Sequence, residues 1–282
     1  MVDSGMTVNA ANLREFLTGR AEGDLLPWSA QREAAQRFGM EVGDVEVAAL
    51  EHGLMPMRYR RNRETLSVSE QLVLFRSRVA VIGCGGLGGY LVEELARLGV
   101  GALVLIDPDV FEEHNLNRQI LSSPAHLGRP KVEVARERVA EVNPAVSAIA
   151  HRIAFSRENG AQLLARSTAV LDGLDNFLAR RDLAAACREL SIPLVHGAIA
   201  GWYGQLTTQL PGQDITPLFD TGSAQGEAGG SSLGNPSFTP AVVASLQVAE
   251  LAKVLLGRGA PLTRKLLLLN LLDMQFEKIG YR

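Results

Sequence analysis

The sequence predicts an α/β fold: a Rossmann-like, doubly wound, mainly parallel sheet with a C-terminal antiparallel part, preceded by a small helical region. Three observations lead there. Short apolar runs suited to buried strands, Arg78–Ile82 and Ala102–Ile106 first among them, alternate with segments of helical periodicity. A Gly83-Cys84-Gly85-Gly86-Leu87-Gly88 stretch separates the first such strand from the helix that follows. The chain has 282 residues, 46% of them hydrophobic, so it can bury a large core without disulfide or metal staples.

Residues 1–57 carry four arginines against nine acidic residues, a charge of −5, whereas the remainder is slightly basic. A boundary is set at Leu54-Met55-Pro56, giving a helical region 1–57 and a nucleotide-binding domain 58–282. In the first, residues 29–38 read as a helix with Ser29 as N-cap and Gly39 as stop. Residues 45–51 read as a second helix, ended by Gly53. The pair resembles a helix-turn-helix, but its charge is wrong for gripping phosphates, so a helical cap or interaction module is expected.

The second region runs in order. Strand Arg78–Ile82 leads into a helix over 90–98, with Leu91, Leu95 and Leu98 on one face and Gly99 as stop. Strand Ala102–Ile106 is followed by a helix over 130–142, opened by Pro130 and ended by Asn143-Pro144. A strand near 146–153, a helix near 158–165, strand Ala169–Asp172, a helix near 177–190 and a strand at 193–196 continue the alternation. Residues 204–210 suit a strand. Residues 211–237 are rich in glycine and proline, a long loop of the kind that is usually functional or disordered. A helix over 240–256 and a hairpin over 265–272 and 274–279 finish the chain.

Composition narrows the function. With 28 basic and 31 acidic residues, the net charge of −3 argues against nucleic-acid binding by bulk charge. The two cysteines, Cys84 and Cys187, supply neither a disulfide framework nor a four-cysteine zinc site. There is no unbroken run of 18 apolar residues, and Met1 to Ala10 lacks a basic start followed by an apolar run. The expectation is a cytoplasmic protein with no membrane partner.

Four features carry chemistry. Gly83, Gly85, Gly86 and Gly88, with Leu87, fit G-x-G-x-x-G, which brings backbone close to a phosphate at a helix N-terminus. Asp107, at the end of the second strand, is spaced to accept ribose hydroxyls. That pair alone indicates a nucleotide site and favours NAD or FAD. Asn115-Leu-Asn-Arg118-Gln119 places Asn115 and Arg118 three apart, on one face if helical. Lys131 stands at a helix start, where the dipole disfavours a cation, in a chain with 24 arginines and only four lysines. It reads as a partner for an anion such as triphosphate, or as a solvated surface lysine. Asp172-Gly-Leu-Asp175-Asn176 ends a buried strand, where a carboxylate can hold magnesium; Asp175 or Asn176 would also serve as a helix N-cap. The five histidines, His114 beside Asn115 included, show no metal-ligand spacing and read as surface or packing residues.

These segments, with Arg58-Tyr-Arg-Arg61-Asn62, Asp107-Pro-Asp109, Gly128-Arg-Pro-Lys131 and Asn143-Pro144, resemble in order and spacing the ThiF/MoeB/HesA family of sulfur-carrier adenylyltransferases, bacterial relatives of the ubiquitin-activating enzymes. The likeness runs from about Arg58 to the C-terminus. It implies adenylation, by MgATP, of the C-terminal Gly-Gly carboxylate of a small ubiquitin-like carrier, ThiS- or MoaD-like, with release of pyrophosphate. Gly85, Gly86 and Leu87 would present loop backbone and Asp107 would contact the ribose. Asn115 and Gln119 would orient phosphate, with Asp109 and Asn176 in the nucleotide-contacting set. Arg118, Lys131 and magnesium at Asp175 would neutralise charge. Arg61, with Arg60 as an adjacent candidate, would reach the phosphates of a second subunit, which implies a homodimer; Arg58 and Arg63 read as solvated.

The family's paired Cys-x-x-Cys zinc ligands are missing, so no zinc is expected. Cys84 reads as a small residue demanded by the loop and Cys187 as a packing residue. Reaction is therefore expected to stop at the acyl-adenylate, with a separate sulfur donor. The 211–237 loop would cover the carrier's tail, and Trp202 and Tyr203 would line its channel or belong to the core. Other readings are a family member that adenylates a peptide or a tRNA base, an NAD-dependent oxidoreductase, and a non-catalytic carrier-binding module.

Overall fold

The runs that read as strands all join one eight-stranded sheet. The computed structural model describes residues 3–219 and 233–281. Helices α1 (Asp3–Arg20), α2 (Trp28–Phe38) and α3 (Val42–Glu51) come first, with two-residue strands β1 (Leu25–Leu26) and β2 (Met55–Pro56) paired in parallel. Then follow α4 (Val68–Arg76), β3 (Arg78–Ile82), α5 (Gly86–Leu98), β4 (Ala102–Ile106), α6 (Lys131–Val142), β5 (Ser147–His151) and α7 (Arg157–Leu163). The chain ends with β6 (Ala169–Asp172), α8 (Phe177–Glu189), β7 (Leu194–Ala200), β8 (Tyr203–Gln209), α9 (Phe238–Leu256), β9 (Lys265–Asn270) and β10 (Gln275–Gly280).

The sheet order is β10-β9-β8-β7-β6-β3-β4-β5. The five strands β5, β4, β3, β6 and β7 are parallel, and β8, β9 and β10 add on antiparallel. This is the doubly wound sheet with an antiparallel end that the alternation predicts. Side-chain alternation explains its two covered faces. Val79, Val81, Leu103 and Leu105 face the cluster that includes residues of α5, α6 and α9. Ala80, Ile82, Val104 and Ile106 face the cluster that includes Leu183, Ala184 and Cys187 of α8. Chain order reverses between β3 and β6, which opens a crevice at the carboxyl ends of those strands.

Several boundaries differ from expectation, each for a local reason. Helix α5 starts at Gly86, inside the glycine stretch rather than at 90, because Gly85 acts as its N-cap. Helix α2 starts at Trp28 with Pro27 as N-cap, which puts Ser29 in the first turn instead of at the cap. Strand β7 extends to Ala200 because β8 pairs with it along its whole length. Helices α1 and α4 were not expected; α4 opens with a full capping box between Ser67 and Glu70.

By length and composition α9 is apolar enough to cross a membrane, with a mean hydropathy of 1.4 over 18 residues. Its polar residues are nevertheless matched to this sheet. Gln247 Nε2 donates to the carbonyls of Asp172 and Val195, at 2.9 and 3.2 Å. Glu250 accepts from Thr208 Oγ1 at 3.1 Å and from the Leu262 N–H at 2.8 Å. The N-terminal helices have their own small core of Leu13, Leu17, Leu26, Ala34, Val45 and Ala49. Leu25, Leu50 and Met55 join the main cluster.

Candidate functional site

Strand register assembles the site. Ile82 pairs with Ile106 on one side and Asp172 on the other, so Gly83, Asp107 and Gly173 emerge level at the crevice. Their proximity divides the glycines by role. A Cβ on Gly88 would lie 1.7 Å from the Gly83 carbonyl oxygen, and one on Gly173 would lie 2.7 Å from the same atom. Gly83, at φ +89°, closes the clasp, since its own Cβ would sit 2.6 Å from Gly173 O. These three glycines let backbones meet. Gly85 and Gly86 differ: a Cβ there would find nothing nearer than Gln119 Nε2 at 3.5 Å and Arg118 Nε at 3.8 Å. Both are half-buried at the start of α5, against the Gln119 and Arg118 side chains, where no side chain caps the helix and its first N–H groups are available. Leu87 is buried in the main cluster.

Asp107 is buried, and its two oxygens are engaged by backbone. Oδ2 accepts the Cys84 N–H at 2.7 Å and Oδ1 accepts the Asp109 N–H at 2.8 Å. Burial pushes its carboxyl up, against the pull of these bonds and of Lys131. Asp107 therefore staples the glycine loop to the next strand, a duty that spacing alone did not reveal. Lys131 corrects the solvated reading: it is buried, with Nζ 2.9 Å from Asp109 Oδ2. Asn115 is buried and accepts the Glu112 N–H at 2.9 Å, which fixes the turn carrying Arg118 and Gln119. Arg118 is half-buried and donates to His114 O and Asn117 Oδ1, both at 3.0 Å. Gln119 is buried beside Gly85, and its Oε1 has no hydrogen-bond partner.

On the other side of the crevice, Asn176 caps α8 by accepting the Ala179 N–H at 2.8 Å. Asp175 is exposed and makes no hydrogen bond or ion pair among the described residues. Asp172, absent from the expected site, orders the loop between them. Its Oδ1 accepts the Leu174 N–H at 2.8 Å, and Arg180 Nη2 donates to Leu174 O at 2.5 Å. Its Oδ2 lies 2.6 Å from His196 Nδ1. The strand-end position of Asp172, in register with His196, was the available signal.

Arg61 is not brought to this group within one chain. Tyr59 abuts Gly99, at the far end of the 13-residue α5. At 1.5 Å per residue that is roughly 20 Å from the glycine loop. Arg58 and Arg63 are not simply solvated: Arg58 is ion-paired with Glu46 and Arg63 with Asp24. Residues 220–232 of the expected long loop lie outside the described residues. The end of that loop returns to the site, with the Asn117 amide donating to Asn235 O at 3.1 Å. Trp202 and Tyr203 are each 44% exposed and do not belong to the core. Cys84 and Cys187 are fully buried, and burial pushes both thiols up.

The arrangement suits an anionic nucleotide. It offers free helix N–H groups and two cationic side chains for phosphate, and an unpartnered Gln119 oxygen that can accept from a nucleotide hydroxyl or amino group. Asp175 is an unpaired carboxylate of the kind that helps hold magnesium beside phosphate. Among the described residues no three His, Cys, Asp or Glu side chains cluster to hold a metal by themselves.

Comparison with known proteins agrees with this geometry. The ThiF family model matches residues 59–281. The SAMP-activating enzyme E1 of Haloferax volcanii is 39% identical over 74% of this chain and 78% of its own length. The molybdopterin-synthase adenylyltransferase of Escherichia coli is 35% identical over 74% of this chain and 85% of its own. In structure, Escherichia coli MccB, solved with ATP, superposes with a TM-score of 0.68 at 21% identity, covering 79% of this chain and 70% of MccB.

Proposed function

The chain belongs to the ThiF family, and from that premise we propose that this adenylyltransferase activates the C-terminal carboxylate of a ubiquitin-like sulfur carrier, ThiS- or MoaD-like, as an acyl-adenylate. The observation that carries the reading is the uncapped N-terminus of α5 at Gly85 and Gly86, with the Arg118 guanidinium and the unpartnered Gln119 oxygen packed beside it. Relatives named for work on molybdopterin synthase and on ThiS support the substrate class.

The carrier's terminal carboxylate oxygen attacks the α-phosphorus of ATP, and the bond to the bridging oxygen breaks to release pyrophosphate. Carboxylate and triphosphate repel, so the residues must supply positive charge where it develops. Arg118 is already oriented by His114 O and Asn117. Lys131 is held by Asp109 and is neutralised by it until a stronger anion competes. The backbone N–H groups at the start of α5 would bind phosphate oxygens. Magnesium, when bound, supplies further neutralisation, with Asp175 as its protein carboxylate. Arg61 would act across a homodimer, because α5 separates it from the cradle of its own chain. Neither buried cysteine is placed to take the acyl group, so a separate sulfur donor completes the pathway.

The test is ATP–pyrophosphate exchange with purified ThiS-type and MoaD-type carriers. Exchange with one of them, and none without carrier, is expected. Bound ATP with exchange on neither would overturn the carrier assignment and favour a peptide or a tRNA base. Stabilisation by NADH and not by MgATP would overturn adenylation itself.

A further inference from the structure

Residues 1–57 converge on one short segment. Arg58 and Arg63 flank Arg60 and Arg61, and both flanking guanidiniums are held by side chains from the N-terminal helical region. Arg58 is ion-paired with Glu46 of α3, donates to Gln31 Oε1 of α2 at 2.6 Å, and lies over the Trp28 ring, 5.0 Å from its centroid. Its third hydrogen-bond partner is Asn143 Oδ1, at 3.0 Å. Glu46 is fully buried and also accepts the Tyr59 hydroxyl at 2.8 Å, while Asn143 Nδ2 donates to that hydroxyl at 2.7 Å. Arg63 makes a two-bond fork with Asp24, at 3.0 and 2.7 Å.

Between these anchors the backbone is a chain of turns, with Arg60 N–H to Met57 O at 3.1 Å, Asn62 N–H to Tyr59 O at 2.8 Å and Leu66 N–H to Asn62 O at 2.7 Å. Arg60 and Arg61 are exposed, and neither has a hydrogen bond or ion pair among the described residues. Two guanidiniums fixed, two left free between them, is the pattern of a presented cation. A buried ion pair such as Glu46–Arg58 adds little net stability because desolvation offsets its attraction; what it supplies is a defined position.

We infer that residues 1–57 form a clamp that aims the Arg60-Arg61 turn at an anionic nucleotide held by another subunit, with Asp24, Gln31 and Glu46 as positioning residues. The inference rests on the proposed role of Arg61 across the dimer. Arg61 is the group that would touch the nucleotide; Asp24, Gln31 and Glu46 act only through it.

The experiment is a double-mutant cycle on the full chain, read as kcat and KM for ATP in carrier-dependent exchange. Asp24→Asn breaks an exposed pair and leaves the fold intact. It is expected to lower kcat about threefold to fivefold with KM for ATP and Tm unchanged. Glu46→Gln is expected to lower kcat about tenfold. In an Arg61→Ala background, assayed in single turnover, neither substitution should lower the rate further. Asp24→Arg combined with Arg63→Asp, which restores the pair with reversed charge, should restore kcat. Should Glu46→Gln prevent folding, the Asp24→Asn and charge-reversal variants decide alone. A slow Arg61→Ala enzyme with Asp24→Asn at full rate, or losses that simply multiply in the double variants, would overturn the clamp alone. An Arg61→Ala enzyme at wild-type rate would overturn the reading of Arg61 and the clamp together.

Discussion

Neighbouring residues at the crevice divide the work between holding the fold and meeting the ligand. Asn176 caps α8 while Asp175 beside it is unpaired. Asn176→Ala is expected to cost about 1 kcal/mol of stability in urea unfolding. Asp175→Ala should leave unfolding unchanged and abolish exchange; retained exchange would refute its role. The sequence could not separate the two, because a cap and a metal ligand demand the same side chains. The glycines divide likewise. Gly88→Ala, whose Cβ would meet Gly83 O, should destabilise by about 3 kcal/mol. Gly86→Ala should fold normally and bind ATP more weakly, measured by titration calorimetry. Spacing points to Asp107 as a ribose contact, but its bonds to Cys84 and Asp109 depend on three-dimensional register. His196 offers a pH test. Burial pulls its pKa below the ordinary 6.5, with Asp172 opposing. As pH falls through about 6.5 the unfolded chain takes up a proton that the folded chain does not, so stability is lost on acidification and kept above that window. His196→Asn should flatten this limb of the stability–pH profile.

At the scale of elements, periodicity located the buried strands best. Strands β3, β4 and β6 fall where their apolar runs predict, because burial on both faces leaves no alternation to misread. Helix starts were harder. Ser29 has the chemistry of an N-cap, yet Pro27, at φ −63° and ψ 151°, already supplies the extended backbone that ends the preceding turn. Ser67-Val-Ser-Glu70, not singled out in the sequence, forms a full capping box at the start of α4. Ser67→Ala should therefore lower stability by about 1 kcal/mol without touching ATP affinity, checked by thermal unfolding and ATP binding on the same sample. Helix α1 was not singled out in the sequence; among its described side chains Leu13 and Leu17 are buried, with Phe16 packed beside them.

At the scale of the whole molecule, the sheet order places loops from distant parts of the sequence at one crevice, while α5 keeps Arg61 at the opposite end. On the proposed role of Arg61, a complete site needs two chains. Arg61→Ala mixed with Lys131→Ala should recover up to about a quarter of wild-type exchange, since half the dimers are mixed and each holds one intact site. No recovery after verified subunit exchange would refute action across the dimer. The parallel half of this architecture was legible from alternation, and the glycine stretch announced a nucleotide. What the sequence did not reveal is how residues 1–57 fasten to the sheet, because Gln31, Glu46, Arg58 and Asn143 are far apart along the chain and share no motif.

The clasp between Gly83, Gly88 and Gly173 has a consequence for how the protein is made. The glycine loop is translated early, but the backbone it closes against belongs to the turn after β6. A nascent chain that has passed the loop and not yet released residue 173 from the ribosome lacks one wall of the crevice, so ATP finds no finished cradle there. Ribosome-bound chains of increasing length should gain nucleotide binding only after β6 and its turn have emerged, long after the motif itself is exposed.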